Sequence, residues 1–153
     1  MNDVRAVTVD RRGTVWVATR GGVCQVSAGK LHPIDSQFIN GPTYDVATDS
    51  QGIVWIGAWN GLYRLSDGII QREPGLDFPV RVVKPLADRL VISTPQGLFE
   101  RRAEKWELIS GPWHTGSPDF AVVGEDLYIA SPTGLFVKRG DRVDLLDQED
   151  GML

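Results

Sequence analysis

The sequence predicts an all-β fold built from β-propeller blades, and three observations support this prediction. First, one segment recurs four times along the 153 residues. Second, each repeat contains four short runs with strand character, and no segment has helical periodicity over a useful length. Third, the second run of each repeat is apolar on both faces, so neighbouring sheets have to cover it on both sides.

The repeated segment begins at four places along the chain. It reads GTVWVATRGGVCQV from residue 13, GIVWIGAWNGLYRL from residue 52, DRLVISTPQGLFER from residue 88 and EDLYIASPTGLFVK from residue 125. One glycine marks the same point in each copy: Gly22, Gly61, Gly97 and Gly134. The spacing between these glycines is 39, 36 and 37 residues, a period that indicates a solenoid, a propeller or an array.

Each repeat contains four strand-like runs, which we call a to d in chain order. In the first repeat they are VRAVTV (4–9), TVWVAT (14–19), GVCQVS (22–27) and the weaker KLHPID (30–35). The a–b turns of the first two repeats read Asp-x-x-Gly from Asp10 and Asp49, a pattern that suits a tight turn because Asp can hydrogen-bond its own backbone. Asn60-Gly61 is the strongest hairpin signal in the chain.

Strand b predicts how the sheets are arranged. A strand with one face in water alternates apolar and polar residues, whereas strand b reads VWVA from Val15, VWIG from Val54 and LYIA from Leu127. Crossover helices could cover both faces of a parallel sheet, but no helices are predicted. Small antiparallel sheets stacked around an axis remain, which is the β-propeller. A sandwich of two sheets with 16 strands is the alternative, although it would not require such regular repeats.

The length of the chain predicts a single domain. We expect its blades at residues 4–36, 43–75, 80–111 and 119–148. Each b strand carries a small residue that suits a tapering wedge: Ala18, Gly57, Ser93 and Ala130. Four stacked blades leave a flat apolar face on the first and on the last blade, and such faces mark interfaces. We therefore expect part of a larger ring, completed by a second copy of the chain or by the remainder of a longer one.

Composition and charge argue against several classes of function. The net charge is −4 with both signs interspersed, which argues against nucleic-acid binding because a duplex requires a basic face. No apolar run approaches the roughly 18 residues of a membrane span. The first residues lack the layout of a signal peptide. The chain as given is therefore expected in the cytoplasm, or in the periplasm or outside the cell if it is a piece of a sensor protein.

The first two repeats resemble the two-component-regulator propeller repeat, a blade of bacterial sensor proteins. That repeat has the form D-x-x-G-x-hydrophobic-W-hydrophobic-G-T-x-x-G-L-x-R. The second copy has Ala58 in place of the Thr and matches at eight positions: Asp49, Gly52, Trp55, Ile56, Gly57, Gly61, Leu62 and Arg64. The third and fourth copies keep only the Gly-Leu-Phe half. The resemblance implies a propeller with a sensing role in the periplasm or outside the cell when the repeat precedes a kinase.

Candidate binding residues lie in loops of one predicted face. Strand direction places the b–c and d–a loops on the same face of the ring, and loops on a rigid scaffold commonly carry binding groups. On this face we expect Arg20, Trp59 and Asn60 in b–c loops, and Trp113 and His114 in a d–a loop. Trp59 is the first candidate, because an exposed Trp beside a hydrogen-bond donor suits stacking on a ring, a sugar or a partner side chain. The alternative is that Trp59 folds over a neighbouring loop.

No catalytic group, metal or cofactor is predicted. His114 could act as base, ligand or pH-responsive group, but no nucleophile accompanies it and no second ligand has metal spacing. Asp10 and Asp49 each offer one carboxylate to their turn, so hairpin chemistry is preferred over a calcium loop. Cys24, the only cysteine, is expected to be a small buried hydrophobe. Arg101 is expected to be a solvated residue near a turn.

The sequence supports three functional hypotheses. The preferred one is a non-catalytic, sensor-type module that binds a small ligand or a protein partner at its loop face. The second is a propeller enzyme, a lyase or hydrolase, with a site near the central channel. For this the innermost strands offer Arg5, Asp45, Arg81 and Lys84, but the chain has only two His, which disfavours acid–base chemistry. The third is a structural fragment that assembles into a complete ring.

Overall fold

The fold is all-β, as predicted. In the computed structural model the described part of the chain forms sixteen β-strands in four four-stranded sheets. No helix that could cross a membrane is present among these described residues. The structure describes residues 3–34, 39, 41–86, 89–102, 104–113, 116 and 118–146.

The strands follow one another at short intervals along the chain. The first sheet holds β1 (Val4–Val9), β2 (Val15–Thr19), β3 (Gly22–Ser27) and β4 (Lys30–Pro33). The second holds β5 (Thr43–Thr48), β6 (Val54–Ala58), β7 (Gly61–Ser66) and β8 (Ile69–Arg72). The third holds β9 (Val82–Pro85), β10 (Leu90–Thr94), β11 (Gly97–Arg102) and β12 (Lys105–Ile109). The fourth holds β13 (Asp119–Val123), β14 (Asp126–Ser131), β15 (Gly134–Arg139) and β16 (Arg142–Leu146).

Each sheet is an antiparallel meander in which the spatial order of the strands equals their order along the chain. The predicted a to d strands are therefore neighbours in space, and the b and c strands lie in the middle of each sheet. The first two sheets carry a register irregularity early in strand a, between Val4 and Ala6 and between Thr43 and Asp45. This pairing scheme repeats four times, as the sequence period predicts.

Among the described residues, three apolar cores alternate with the four sheets, which identifies the stack as propeller blades. A sandwich of two sheets would have a single core between them, so that alternative is wrong. Each core joins residues from two successive sheets: Ala18 with Ile56, Trp55 with Ile92, and Val91 with Ile129.

The b strands of the two middle sheets are covered on both faces. Every residue of β6 and of β10 is buried. Burial of one large apolar side chain stabilises the fold by roughly 1.5–3 kcal/mol, and these strands place such side chains alternately into the preceding and the following core. The double-sided apolar pattern of strand b is thus explained by blade stacking.

The first strand of each sheet lies where successive sheets meet. β1 contacts β5, and β5 contacts β9. The hydroxyl oxygens of Thr8 and Thr48 lie 3.5 Å apart across the first of these contacts. Between the third and fourth sheets, the Lys84 ammonium donates to the carbonyl oxygen of Phe120, and the Ser93 hydroxyl donates to that of Pro118 at 2.6 Å. These contacts connect the four sheets in succession.

The small residues of strand b are required where the next sheet approaches closely. A β-carbon at Gly57 would lie 2.7 Å from the carbonyl oxygen of Val80, too close for any side chain. Ala18 and Ser93 are fully buried at the equivalent positions. Ala130 is exposed instead, because the fourth sheet is the last sheet that the structure describes.

Candidate functional site

Four two-residue hairpins close the b–c end of the sheets. Their flanking pairs are Thr19 with Gly22, Ala58 with Gly61, Thr94 with Gly97 and Ser131 with Gly134. The turn residues at equivalent positions are Arg20–Gly21, Trp59–Asn60, Pro95–Gln96 and Pro132–Thr133. The glycine after each turn has a positive φ between 120° and 144°, which glycine adopts without strain.

Three of these hairpins share one hydrogen-bond motif. The hydroxyl of the last b-strand residue donates to the carbonyl oxygen of the glycine three positions later, from Thr19 at 2.8 Å, from Thr94 at 3.0 Å and from Ser131 at 3.2 Å. The same hydroxyl oxygen accepts a backbone N–H from the turn. We call this arrangement the hydroxyl clasp. It explains why the repeat carries Thr or Ser at this position.

The second hairpin lacks the hydroxyl clasp because Ala58 stands in place of the hydroxyl residue. There the guanidinium of Arg72 donates to the carbonyl oxygen of Asn60 at 2.6 Å and pairs with Asp77 at 2.7 Å. The turn is therefore held from strand β8 rather than from its own b strand. This makes the hairpin that carries Trp59 chemically different from the other three.

Trp59 is the exposed tryptophan of this hairpin. Trp59 is 43% exposed, and its backbone N–H donates to the carbonyl oxygen of Pro42 at 3.0 Å. The indole lies directly against the α-carbon of Gly41, where a β-carbon would lie 2.7 Å from Cδ1 of the ring. One side of the indole thus packs on a neighbouring loop, as the alternative stated for Trp59 predicted. The rest of the ring faces solvent.

Asn60 and Arg20 have different surroundings. The side chain of Asn60 points inward and hydrogen-bonds with Tyr63, whose pKa is raised by burial, although Arg72 and this hydrogen bond oppose the shift. Asn60 is therefore held by protein contacts. Arg20 is exposed at the equivalent turn of the first sheet, where its backbone N–H donates to the carbonyl oxygen of Asp3 at 3.1 Å. Its guanidinium is accessible to a ligand.

The expectation that Trp113 forms part of an exposed loop surface is corrected by the structure. Trp113 is fully buried in the core between the third and fourth sheets, with its ring centroid 5.8 Å from that of Phe136. Its ring passes against Gly111, where there is no room for a β-carbon. A large apolar ring gains more from filling the gap between two blades than from exposure. His114, the other candidate in this loop, lies outside the described residues.

The strands nearest the axis carry charged groups that are held by protein contacts. The guanidinium carbons of Arg5 and Arg81 lie 5.1 and 4.3 Å from the ring centroid of Tyr44. The two carboxylate oxygens of Asp45 accept the backbone N–H groups of Val46 and Val83 at 2.8 and 2.7 Å. Burial raises the pKa of Asp45, and these two hydrogen bonds oppose the shift. The hydrogen bond from Val83 joins the second sheet to the third, and the one from Val46 lies within strand β5.

The a–b turns of the first two sheets show what the Asp-x-x-Gly-x-x-Trp pattern does. In the second sheet, one oxygen of Asp49 accepts the N–H groups of Gln51 and Ile53, and the other accepts the indole N–H of Trp55 at 2.8 Å. Asp10 bonds Trp16 in the same way, at 2.9 Å. The carboxylates are thus occupied by protein donors, which agrees with hairpin chemistry. No cluster of three His, Cys, Asp or Glu suited to a metal is found in the described ranges.

The clefts between successive sheets lie away from the b–c hairpins. Residues of the a–b and c–d turns contribute to the lining of these clefts. One cleft of about 590 Å³ lies between the first two sheets, and one of about 550 Å³ lies between the last two. Charged pairs line the second cleft: buried Glu100 contacts Arg89 at 3.1 Å and Arg102 at 2.9 Å. Neither cleft is lined by the b–c hairpin residues.

The prediction that Arg101 is solvated is wrong. Its side chain is only 17% exposed, pairs with buried Glu73 at 3.5 Å and lies 5.5 Å from the ring centroid of Trp55. The pairing joins the second and third sheets, and no local pattern around Arg101 announces a partner 28 positions away. Cys24 is buried as expected, and burial raises the pKa of its thiol.

Comparison with known proteins identifies the fold. No model of a known protein family and no curated protein sequence matches the chain. Among solved structures, it is similar to the extracellular domain of a B. thetaiotaomicron protein described as a one-component system, with a TM-score of 0.81 and 16% identity. It is also similar to that of a B. thetaiotaomicron hybrid two-component system, with a TM-score of 0.73 and 20% identity. A third similar structure is virginiamycin B lyase from Staphylococcus aureus, with a TM-score of 0.70 and 14% identity.

The chain spans only part of these proteins. The matches cover 95%, 99% and 94% of this chain, but 22%, 23% and 55% of the three solved chains in the same order. At these identities the likeness shows the fold alone. The propeller fold implied by the sensor-type blade motif is thereby confirmed.

Proposed function

We propose that the chain is a non-catalytic binding module of the sensor type, which contacts a small ligand or a protein partner through its b–c hairpins, with Trp59 at the centre. One observation carries the proposal: the hairpin of the second sheet lacks the hydroxyl clasp and presents a half-exposed indole instead. Trp59 is not part of the core position of the repeat, which Trp16 fills in the first sheet and Trp55 fills in the second.

The surroundings of Trp59 suit recognition by stacking. Gly41 supports one side of the indole and holds it in place, so little conformational freedom is lost when a ligand covers the other side. Trp side chains contribute strongly to binding because they offer a large apolar face with one polar N–H. Arg20, exposed at the equivalent turn of the adjacent sheet, would add a charged group for a carboxylate.

The location proposed for the module is the periplasm or the outside of the cell, as part of a longer sensor protein. The solved structures named above support this, since two of them are extracellular domains of bacterial signalling systems. The lyase similarity leaves a catalytic alternative, which the charged groups near the axis support poorly. Both oxygens of Asp45 accept backbone N–H groups, and Lys84 is engaged by the carbonyl oxygen of Phe120.

The test is a binding screen that reports on each tryptophan separately. The indole N–H resonances of the five Trp are followed by NMR during titration with neutral and uronic-acid oligosaccharides, and with aromatic-rich peptides as a model for a protein partner. We expect a binding probe to shift the Trp59 resonance. Trp59→Ala should lower the affinity at least tenfold, or about 1.4 kcal/mol, whereas Pro95→Ala, at the equivalent turn of the third sheet, should leave it unchanged.

A second variant distinguishes the ligand classes. Arg20→Ala should weaken the binding of a uronic-acid oligosaccharide and leave that of a neutral one unchanged, because only the carboxylate pairs with the guanidinium. The proposal fails if no probe moves the Trp59 resonance, or if a probe binds Trp59→Ala as tightly as the wild-type protein.

A further inference from the structure

Two arginines converge on one tyrosine ring at the inner edge of the first three sheets. The guanidinium carbon of Arg5 lies 5.1 Å from the ring centroid of Tyr44, and that of Arg81 lies 4.3 Å from it. We call these three residues the arginine–tyrosine cluster. Arg81 is exposed and Tyr44 is half-buried, so solvent reaches the cluster. Two cations held on one ring repel each other, and a negative charge beside both would relieve this repulsion.

The three residues of the cluster occupy one position of the repeat. Each directly precedes the strand-a residue that pairs with the small residue of strand b, in the pairs Ala6 with Ala18, Asp45 with Gly57, and Val82 with Ser93. Arg5 and Tyr44 are the extra residues of the register irregularities in β1 and β5. Such a bulge re-aims a side chain and is common beside functional sites. The fourth sheet has the buried Pro118 at this position, which confines the cluster to three sheets.

The guanidinium of Arg81 has donors that no acceptor in the described part of the chain uses. The backbone of Arg81 is fixed, because its N–H donates to the carbonyl oxygen of Ser93 at 2.8 Å. Its guanidinium contacts the Tyr44 ring, but it has no hydrogen bond or ion pair with any described residue. Arg5 has one such partner, the carboxylate of Asp3 at 3.3 Å, whose side chain is 50% exposed. Both arginines therefore keep N–H groups for a further acceptor.

The carboxylate that lies nearest along the chain does not fill this role. It belongs to Asp45, which directly follows Tyr44. Its two oxygens accept backbone N–H groups, and the charged side chains that act on it are Lys84 and Asp119. Among the described carboxylates, none is thus paired with Arg81.

We infer that the arginine–tyrosine cluster binds an oxyanion group, a carboxylate or a phosphate, of a small ligand. The fork of N–H donors on a guanidinium matches the geometry of both groups. The Tyr44 ring holds the two guanidinium groups in place, so less conformational freedom is lost on binding. The net charge of the chain is −4, so its overall charge does not favour anions, and any binding reports on a local site.

The test follows individual arginines of the wild-type protein. The arginine Nε–H resonances and the tyrosine ring resonances are recorded by NMR during titration with inorganic phosphate and with succinate, at constant ionic strength set by sodium chloride. We expect saturable shifts at Arg5, Arg81 and Tyr44 and none at Arg12, whose side chain is 83% exposed and pairs with Asp67. Binding of phosphate alone or of succinate alone supports the site and identifies the oxyanion that it takes.

Variants test whether the cluster itself holds the anion. Arg5→Gln and Arg81→Gln should each weaken binding by about tenfold or more, as the loss of a charge-assisted hydrogen bond predicts. Arg81→Lys keeps the charge but loses the fork, so it should restore only part of the affinity. Arg12→Gln is the matched control and should bind as tightly as the wild-type protein. Circular dichroism checks that each variant keeps the β fold.

The inference goes beyond the proposed recognition role and is tested separately from it. Trp59 and Arg20 are not part of the cluster, so Trp59→Ala should bind the oxyanion with unchanged affinity. The absence of a saturable shift with both probes would overturn the inference. Equal shifts at Arg12 and Arg81 would also overturn it, because they would show general attraction of anions to arginine. Unchanged affinity in Arg81→Gln would have the same consequence.

Discussion

Tryptophan shows how the position of a residue decides its role. Trp16 and Trp55 occur at the same place in the repeat, where an Asp of the a–b turn accepts the indole N–H and the ring packs into the core between two blades. Trp59 stands in a hairpin, rests on Gly41 and faces solvent. The first role follows from the blade, and the second is the one we assign to recognition.

The two roles predict opposite consequences for stability. Trp55→Ala removes a side chain that is only 3% exposed and leaves a cavity, so we expect the free energy of unfolding to fall by roughly 3–5 kcal/mol. Trp59→Ala should change it by less than about 1 kcal/mol, because surface substitutions have small effects. Urea denaturation measures both. A loss of stability in Trp59→Ala equal to that in Trp55→Ala would show that Trp59 is a structural residue.

The Asp10 carboxylate predicts a dependence of stability on pH. Partial burial tends to raise its pKa, but hydrogen bonds from Trp16, Thr14 and Arg12 hold the pKa below its ordinary value of 3.8. Its contribution to stability is therefore complete above that ordinary value and is lost as the pH falls through the lower pKa of the folded state. The stability difference between wild type and Asp10→Asn should be largest near neutral pH and should shrink on acidification. A constant difference would contradict this role.

A residue's role was predictable from the sequence where the repeat sets that role, and it was not predictable where the role depends on a distant partner. Asp49 and Trp55 were assigned correctly because their spacing recurs. Trp113 was expected in an exposed loop, but it fills a gap between two blades beside Gly111. Arg101 was expected in solvent, but it also pairs with Glu73, which directly follows the last strand of the neighbouring sheet. Contacts across blades of this kind leave no local pattern.

The b–c hairpin is the element in which the four blades differ most informatively. Three of the four hairpins use the hydroxyl clasp, and the clasped residue is fully buried at Thr94. The second hairpin replaces the clasp with Arg72, which reaches across from β8 to the carbonyl oxygen of Asn60. The second b–c hairpin is thus held by a different contact, and its turn carries Trp59.

The hydroxyl clasp predicts which substitutions the third hairpin tolerates. Thr94→Ala removes a buried donor and leaves the carbonyl oxygen of Gly97 without it, so we expect a loss of about 1–3 kcal/mol in the free energy of unfolding. Thr94→Ser keeps the hydroxyl and should lose less. Equal losses in the two variants, measured by chemical denaturation, would assign the effect to the methyl group instead.

The whole molecule is a succession of sheets, each buried by the next, and this much was predictable from the sequence. The period and the double-sided apolar b strand indicated it, because stacked antiparallel sheets cover both faces of each middle sheet without helices. The candidate site was only partly predictable. Whether a loop tryptophan is exposed depends on how neighbouring blades pack against each other. This packing involves residues that are distant in the sequence.

Disulfide trapping between the innermost strands tests this succession most directly. The hydroxyl oxygens of Thr8 and Thr48 lie 3.5 Å apart although the residues are 40 positions apart in the chain. Cysteines at both positions should therefore place their sulfur atoms close enough to test for a disulfide bond. The double variant Thr8→Cys/Thr48→Cys should oxidise within one chain, as non-reducing mass spectrometry of a proteolytic digest would show, while each single variant should not form this link. Free thiols at both positions in the oxidised, folded double variant would contradict the stacking of the first blade on the second.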